Sequence, residues 1–254
     1  MVMQKNTLEK WHESKAGQLI LAAEKSELDN LLPGLYGYHI LQIGDPAFAH
    51  FLNASLISHR VSLNNEGLAK IDLSVVKGEF GQLPIKSDSV DVVVLTHALE
   101  QVKNPHQVLR EAYRILIPEG HIIITGFNPM SICGFWMFLQ RLFKKLPKKG
   151  HLLGNWRVSD WLKLLDFQLI GGQKFYFRPP FSNPNIMQRL AFLDKIGAKF
   201  WPFFGGIYSI KAVKRVSTLT PVKPSWRQNQ TEDLWGETEG IARSPIPITD
   251  KKER

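Results

Sequence analysis

Gly44, Asp45 and Pro46 follow directly on the apolar run His39–Ile43, sequence HILQI. A glycine at the end of a buried strand lets a ligand or another backbone approach closely, because it has no Cβ. A strand running into a tight turn is also where nucleotide-binding loops begin. Such loops usually carry two or three glycines, and here there is one. The other reactive side chains narrow the chemistry. Cys133 is the single cysteine, so no internal disulfide and no cysteine metal cluster can form. His39, His59, His106 and His121 are scattered without metal-ligand spacing, so no metal site is expected. No nucleophile triad is visible either. Binding at a strand end is the chemistry left to place.

The elements that would position such a loop alternate between strand and helix. Residues 7–32 read as a helix, with Leu8, Trp11, Leu19, Ile20, Leu28, Leu31 and Leu32 at three- and four-residue spacing, ended by Pro33 and Gly34. YHILQIG is a strand, FAHFLNAS a short helix, HRVSL a second strand and NNEG a turn. Strands follow in IDLSVVKGE and VDVVVLTH; the unbroken aliphatic run in the latter suits a strand covered on both faces. NPHQVLREAYRIL is a helix with Asn104 as its cap, Pro105 in its first turn, and Val108, Leu109, Ala112 and Leu116 inward. PEG is a turn and HIIITGF a fifth strand. Alternation of this kind predicts a three-layer α/β fold with a mostly parallel sheet, whose ligands bind beyond the carboxyl ends of the strands. GDPAF lies at such an end.

After Asn128 come an apolar helix with a basic end, a helix capped by Ser159, and late strands ending in IYSIKAV, expected to close the sheet with an antiparallel edge. The 254 residues are 44% hydrophobic, enough for a large core, which excludes general disorder. A domain over 1–215 with an insertion at about 129–157 is expected, then a flexible basic tail over 216–254. No apolar run reaches the ~20 residues that span a bilayer, and the N-terminus lacks a signal-type apolar run, so a reducing cytoplasm is expected. The net charge is +9, and residues 141–149 hold five cations and no acid. Nucleic acid or an anionic membrane is a conceivable partner through that run and the tail, but a solvated surface is the simpler reading.

Residues 78–129 carry a denser pattern. Gly78, Glu79, Leu83, Pro84, Asp88, Ser89, Asp91, Leu99, Glu100, Pro105, Leu109, Arg110, Glu111, Arg114, Leu116, Pro118 and Gly120 match in order. The block resembles the central part of class I S-adenosylmethionine-dependent methyltransferases of the type 11 group. To about residue 225, including YHILQIG, VSDWLKLLDF and GFNP, the chain resembles that group's YafS-type bacterial members.

The resemblance implies a Rossmann-like methyltransferase fold and S-adenosylmethionine as cofactor. It implies a binding set of Gln42, Gly44, Asp45, Asn64, Glu79, Phe80, Thr96 and His97. Asn64 stands where the family has a ribose-binding acid, Glu79 is the candidate for the adenine amino group, and Phe80 for its ring. His97 borders the reactive methyl and is the candidate base, since an unperturbed imidazole titrates near neutrality. Phe127, Asn128 and Trp136 are the candidate acceptor residues. The departures are Gln42 for an acid, and Pro46 and Phe48 for two glycines. The expected activity is methyl transfer to a small molecule. A methyltransferase-like binding protein without turnover, and a factor acting on RNA or an anionic membrane, stand as alternatives. Neither the acceptor nor the oligomeric state is legible.

Overall fold

The computed structural model describes residues 15–65, 73–135, 152–178, 190 and 192–216, all within the unit Met1–Val216. Helix α1 (Lys15–Leu31) leads into strand β1 (His39–Gly44), a 3-10 segment (Pro46–Ala54), and strands β2 (His59–Asn64), β3 (Ser74–Lys77) and β4 (Val90–Thr96). One helical turn, α2 (Ala98–Gln101), precedes helix α3 (Pro105–Ile115) and the long strand β5 (Leu116–Phe127). Then follow α4 (Asn155–Leu164), β6 (Phe167–Gly171), β7 (Lys174–Phe175), α5 (Phe192–Phe200), a 3-10 turn (Pro202–Phe204) and β8 (Ile207–Lys214). The sheet runs β3-β2-β1-β4-β5-β8-β6, with β7 also on β8; β1 to β5 are parallel, and β8 is antiparallel to β5, β6 and β7. The α/β class and the antiparallel late edge are as expected.

Side-chain alternation explains the continuous aliphatic run of β4. Val92 and Val94 pack with Ile40 and Ile123 beneath α1 and the 3-10 segment, while Val93 and Leu95 pack with Leu41, Ile43 and Ile122 toward α3 and α4. With both faces buried, every position of the strand is worth a hydrophobic side chain.

Four local readings change. Asn104 flanks α3 but makes no side-chain cap hydrogen bond. The PEG segment lies inside β5, where Glu119 takes a positive φ of 63° and the register with β4 shifts. FAHFLNAS is a 3-10 segment, entered through Asp45, whose side chain accepts from the Ala47 N–H at 2.8 Å. Helix α4 begins four residues before Ser159; Gly154 flanks it, and the Ser159 hydroxyl donates to Asn155 Oδ1 instead of capping.

The loop before β4 is held by a polar clamp. Arg114 pairs with Glu111 (Nη2–Oε2 2.8 Å) and donates to the carbonyls of Leu83 and Ile85, while Glu111 accepts from the Leu83 N–H. Bidentate pairing of this kind fixes geometry more firmly than a single ion pair. On the other side of α3, buried Lys214 of β8 donates to Asp88 Oδ1 and to the carbonyls of Tyr113 and Leu116.

Gly44 is required by the sheet itself. Its φ is +140°, and a Cβ there would lie 2.3 Å from the Thr96 carbonyl oxygen on β4. Gly34 has nothing within 4 Å. Gly44→Val is therefore expected to destabilise the fold by at least about 3 kcal/mol. Gly34→Ala should change stability by less than about 1 kcal/mol. Chemical denaturation of the two variants checks the contrast.

Candidate functional site

The parallel strands end on one rim at Gly44, Asn64, Lys77, Thr96 and Phe127, and β8 begins there at Ile207. Register places Gly44 beside Thr96, and Thr96 beside Thr125. Gln42, fully buried, ties three strands below this edge. Its amide donates to Thr96 Oγ1 at 2.8 Å, and its carbonyl accepts from the Ser62 hydroxyl at 2.6 Å. Its amide also donates to the Asp45 carbonyl at 3.2 Å, which a carboxylate at 42 could not do.

At the end of β4 the chain turns through His97 in the left-handed region, φ 50°. That conformation, uncommon outside glycine, aims the imidazole along the rim. Its Nε2 lies 2.5 Å from Glu24 Oε1 on α1, and its Nδ1 lies 3.4 Å from Glu100 Oε2 on α2. Its ring packs 4.3 Å from Phe127 and 5.5 Å from Phe48, centroid to centroid. Glu100 Oε1 accepts from the Phe127 N–H at 2.6 Å, so the same carboxylate joins the ends of β4 and β5. Burial would lower the pKa of His97, but the Glu24 and Glu100 carboxylates outweigh it and raise it to about 10. Both nitrogens then carry protons at neutral pH. The cluster holds two carboxylates and one imidazolium, a formal charge of −1, with Glu24 1% and His97 7% exposed.

Around it lie other buried polar groups. Among the described residues, Glu24 Oε2 has no hydrogen-bond partner. The Cys133 thiol is pushed up to about 12 by burial and by the neighbouring Glu100 and Glu24 charges. One helical turn from Glu24, buried Glu27 accepts from the Ser209 hydroxyl at 2.6 Å and from the Gln173 amide. Sequence reading overlooked Glu24, Glu27 and Glu100 as site groups. The signal was available: Glu24 and Glu27 fall four and seven residues after Ile20, on the apolar face of α1, where unpaired acids are costly.

The other expected residues are distributed as follows. Gly44, Asp45, Thr96, His97 and Phe127 share the rim of β1, β4 and β5. Asn64 is buried at the end of β2, its carbonyl accepting from the Gly78 N–H. Glu79 is exposed, in a tight turn closed by Gln82 N–H to its carbonyl. The Phe80 ring is buried in the core cluster with Leu63, Leu83 and Leu109. Asn128 is committed internally: its amide donates to the carbonyls of Phe203 and Gly205, and its side-chain oxygen accepts from the Met130 N–H. Trp136, the run 141–149 and the tail lie outside the described residues. Among those described, no group of three or more His, Cys, Asp or Glu could hold a metal, and no helix is long and apolar enough to cross a membrane.

A family described as "Methyltransferase domain" matches residues 47–124. Uncharacterized protein YafS of Escherichia coli (strain K12) is 30% identical over 234 residues, 90% of each chain. A ubiquinone/menaquinone biosynthesis C-methyltransferase, UbiE of Ruegeria sp., is 30% identical over 88 residues, a third of this chain. Among solved structures, a SAM-dependent methyltransferase from Thermotoga maritima, described as a possible histamine N-methyltransferase, superposes with a TM-score of 0.63 at 20% identity. That match covers 83% of this chain and 95% of the other. With a relative matched across nine-tenths of both chains and this sheet order, the chain belongs to the class I S-adenosylmethionine-dependent methyltransferases, in the branch that contains YafS.

Proposed function

We propose that the chain methylates a small-molecule acceptor at the rim of β1, β4 and β5, with the Glu24–His97–Glu100 cluster facing the methionine end of the cofactor. The observation carrying this reading is a buried, net-negative cluster at the turn after β4. S-adenosylmethionine, when bound, supplies an electrophilic methyl group on a positively charged sulfur, transferred in line to a nucleophile as the neutral thioether leaves. The donor set fits that group. A sulfonium and an α-ammonium are both cations, and a formal charge of −1 with the unpartnered Glu24 Oε2 is the complementary environment. Gly44, Asp45, Thr96 and His97 would hold its methionine side, and Asn64 and Glu79 its nucleoside side, the Phe80 ring being occupied in the core.

The chain's own residues would act by positioning and charge. His97, already protonated, does not accept a proton; it keeps Glu24 and Glu100 apart and donates to both. Glu100 fixes the Phe127 backbone at the acceptor side of the rim. Phe48 and Phe127 flank the imidazole and exclude water, which strengthens every charge interaction in the pocket. Rate enhancement then comes from alignment and desolvation, with no strong protein base.

Two outcomes check this. Calorimetry should detect both S-adenosylmethionine and S-adenosylhomocysteine, and Glu24→Gln should lower the preference for the charged sulfonium over the neutral thioether by about three- to tenfold. An unchanged ratio places the cluster away from the sulfur; no binding of either compound removes the reading. Secondly, folded His97 titrates at about 10 against 6.5 in the unfolded chain, so the folded state holds the extra proton. Its contribution to stability is complete below pH 6.5 and is lost as pH rises through about 10. Stability should therefore fall across that window by up to about 1.4 kcal/mol per pH unit, a limb that His97→Gln flattens. Imidazole resonances in a pH titration give the direct readout.

A further inference from the structure

Beyond the rim lies an apolar surface that the transfer chemistry does not use. Ile132 and Phe135 follow β5, and Phe200, Trp201, Phe203 and Phe204 lie at the end of α5 and in the 3-10 turn; all are exposed, Phe203 by 73%. The two segments meet. Asn128 donates to the carbonyls of Phe203 and Gly205, and Ile132, Phe177, Gly197, Trp201 and Phe204 line one groove of about 350 Å³. Soluble surfaces rarely expose so many large apolar side chains together without a partner.

The way α5 is seated explains which of its faces is presented. Gly197 lies so close to the Phe177 ring that a Cβ there would come within 2.4 Å of it. Asp194 accepts from the Phe177 N–H at 2.9 Å and pairs with Arg178 at 2.5 Å. These contacts turn Asp194 and Gly197 inward, and leave Ile196, Lys199 and Phe200 outward. The helix's single acid is thereby paired, while cations remain at the aromatic edge: Lys199 Nζ stands 5.8 Å from the Phe200 ring centroid, and Lys174 Nζ 5.1 Å from that of Phe203.

We propose that this surface docks the protein on an anionic lipid bilayer. Trp201, Phe203 and Phe204 enter the headgroup region, and Lys174 and Lys199 lie among lipid phosphates. Tryptophan and phenylalanine flanked by lysine suit that boundary: rings gain from leaving water while ammonium groups stay solvated and meet negative headgroups. A nucleic acid would use the cations but leave the aliphatic Ile132 and Ile196 unused. Asn128 ties this surface to the end of β5 through the Phe203 and Gly205 carbonyls, so on the methyl-transfer reading above the docked face adjoins the acceptor side.

Sedimentation of the full chain with vesicles tests this without using turnover, so its failure leaves the methyl-transfer reading standing. The chain should bind phosphatidylcholine vesicles containing about one-third phosphatidylglycerol, and bind pure phosphatidylcholine at least about tenfold more weakly. Trp201→Ser with Phe203→Ser should lose at least about tenfold of that partition. Tyr36→Ser with Tyr38→Ser, exposed aromatics before β1, should lose none. Brominated acyl chains should quench tryptophan emission, less so in Trp201→Phe, which keeps a ring and guards against misfolding. No binding, or equal binding by the Trp201/Phe203 variant, overturns the proposal. So does light scattering that shows a dimer dissociated by the same two substitutions, because the surface then covers a second copy.

Discussion

An imidazolium buried between two carboxylates is expensive to assemble and more expensive to break. Each ion loses hydration on burial, and removing the imidazolium would leave two carboxylates uncompensated among apolar neighbours. Here Glu24 comes from α1, His97 from the end of β4 and Glu100 from α2, which in turn binds the backbone at the end of β5. Helix α1 and the turn after β4, distant in sequence, are thus obliged to meet at one point on the rim, with the end of β5 bound to the same carboxylate. The N-terminal helix becomes part of the site rather than a cover over it, and the left-handed turn at His97 is held by the partners it reaches. The site's geometry and its charge have one cause.

The matched block from Gly78 to Gly120 that made the family recognisable is mostly a fastening system. Glu111 and Arg114 clamp the carbonyls and amide of the 83–85 loop, Asp88 anchors Lys214, and Asp91 accepts the amides of Tyr38 and His39 at the start of β1. Of that set, Glu100 is the one that joins the buried cluster with His97. The signature marks the scaffold, and this is why it identifies the fold far better than it identifies an acceptor.

The strands were legible because burial on both faces forces aliphatic runs, and the parallel order followed from their alternation with helices. The cluster was not, because its pairing depends on where α1 crosses the rim, which no local pattern records. Glu24 is separated from His97 by 73 positions. A lone glycine at a strand end signals close approach by a ligand or by another backbone, and the close approach observed is that of Thr96 on the neighbouring strand. Gln42 stands where the family has an acid, yet its amide also donates to the Asp45 carbonyl, a hydrogen bond an ionised acid could not supply.

Cys133 sits 2% exposed beside Glu24 and Glu100, and it is the chain's one thiol. A thiol so protonated and enclosed is nearly inert to alkylating reagents, which attack the thiolate. Modification must wait for the segment after β5 to lift from Gly206. The protein thus carries its own reporter of local opening: the alkylation rate measures how often this flank of the site breathes, and a molecule that holds the flank shut will slow it.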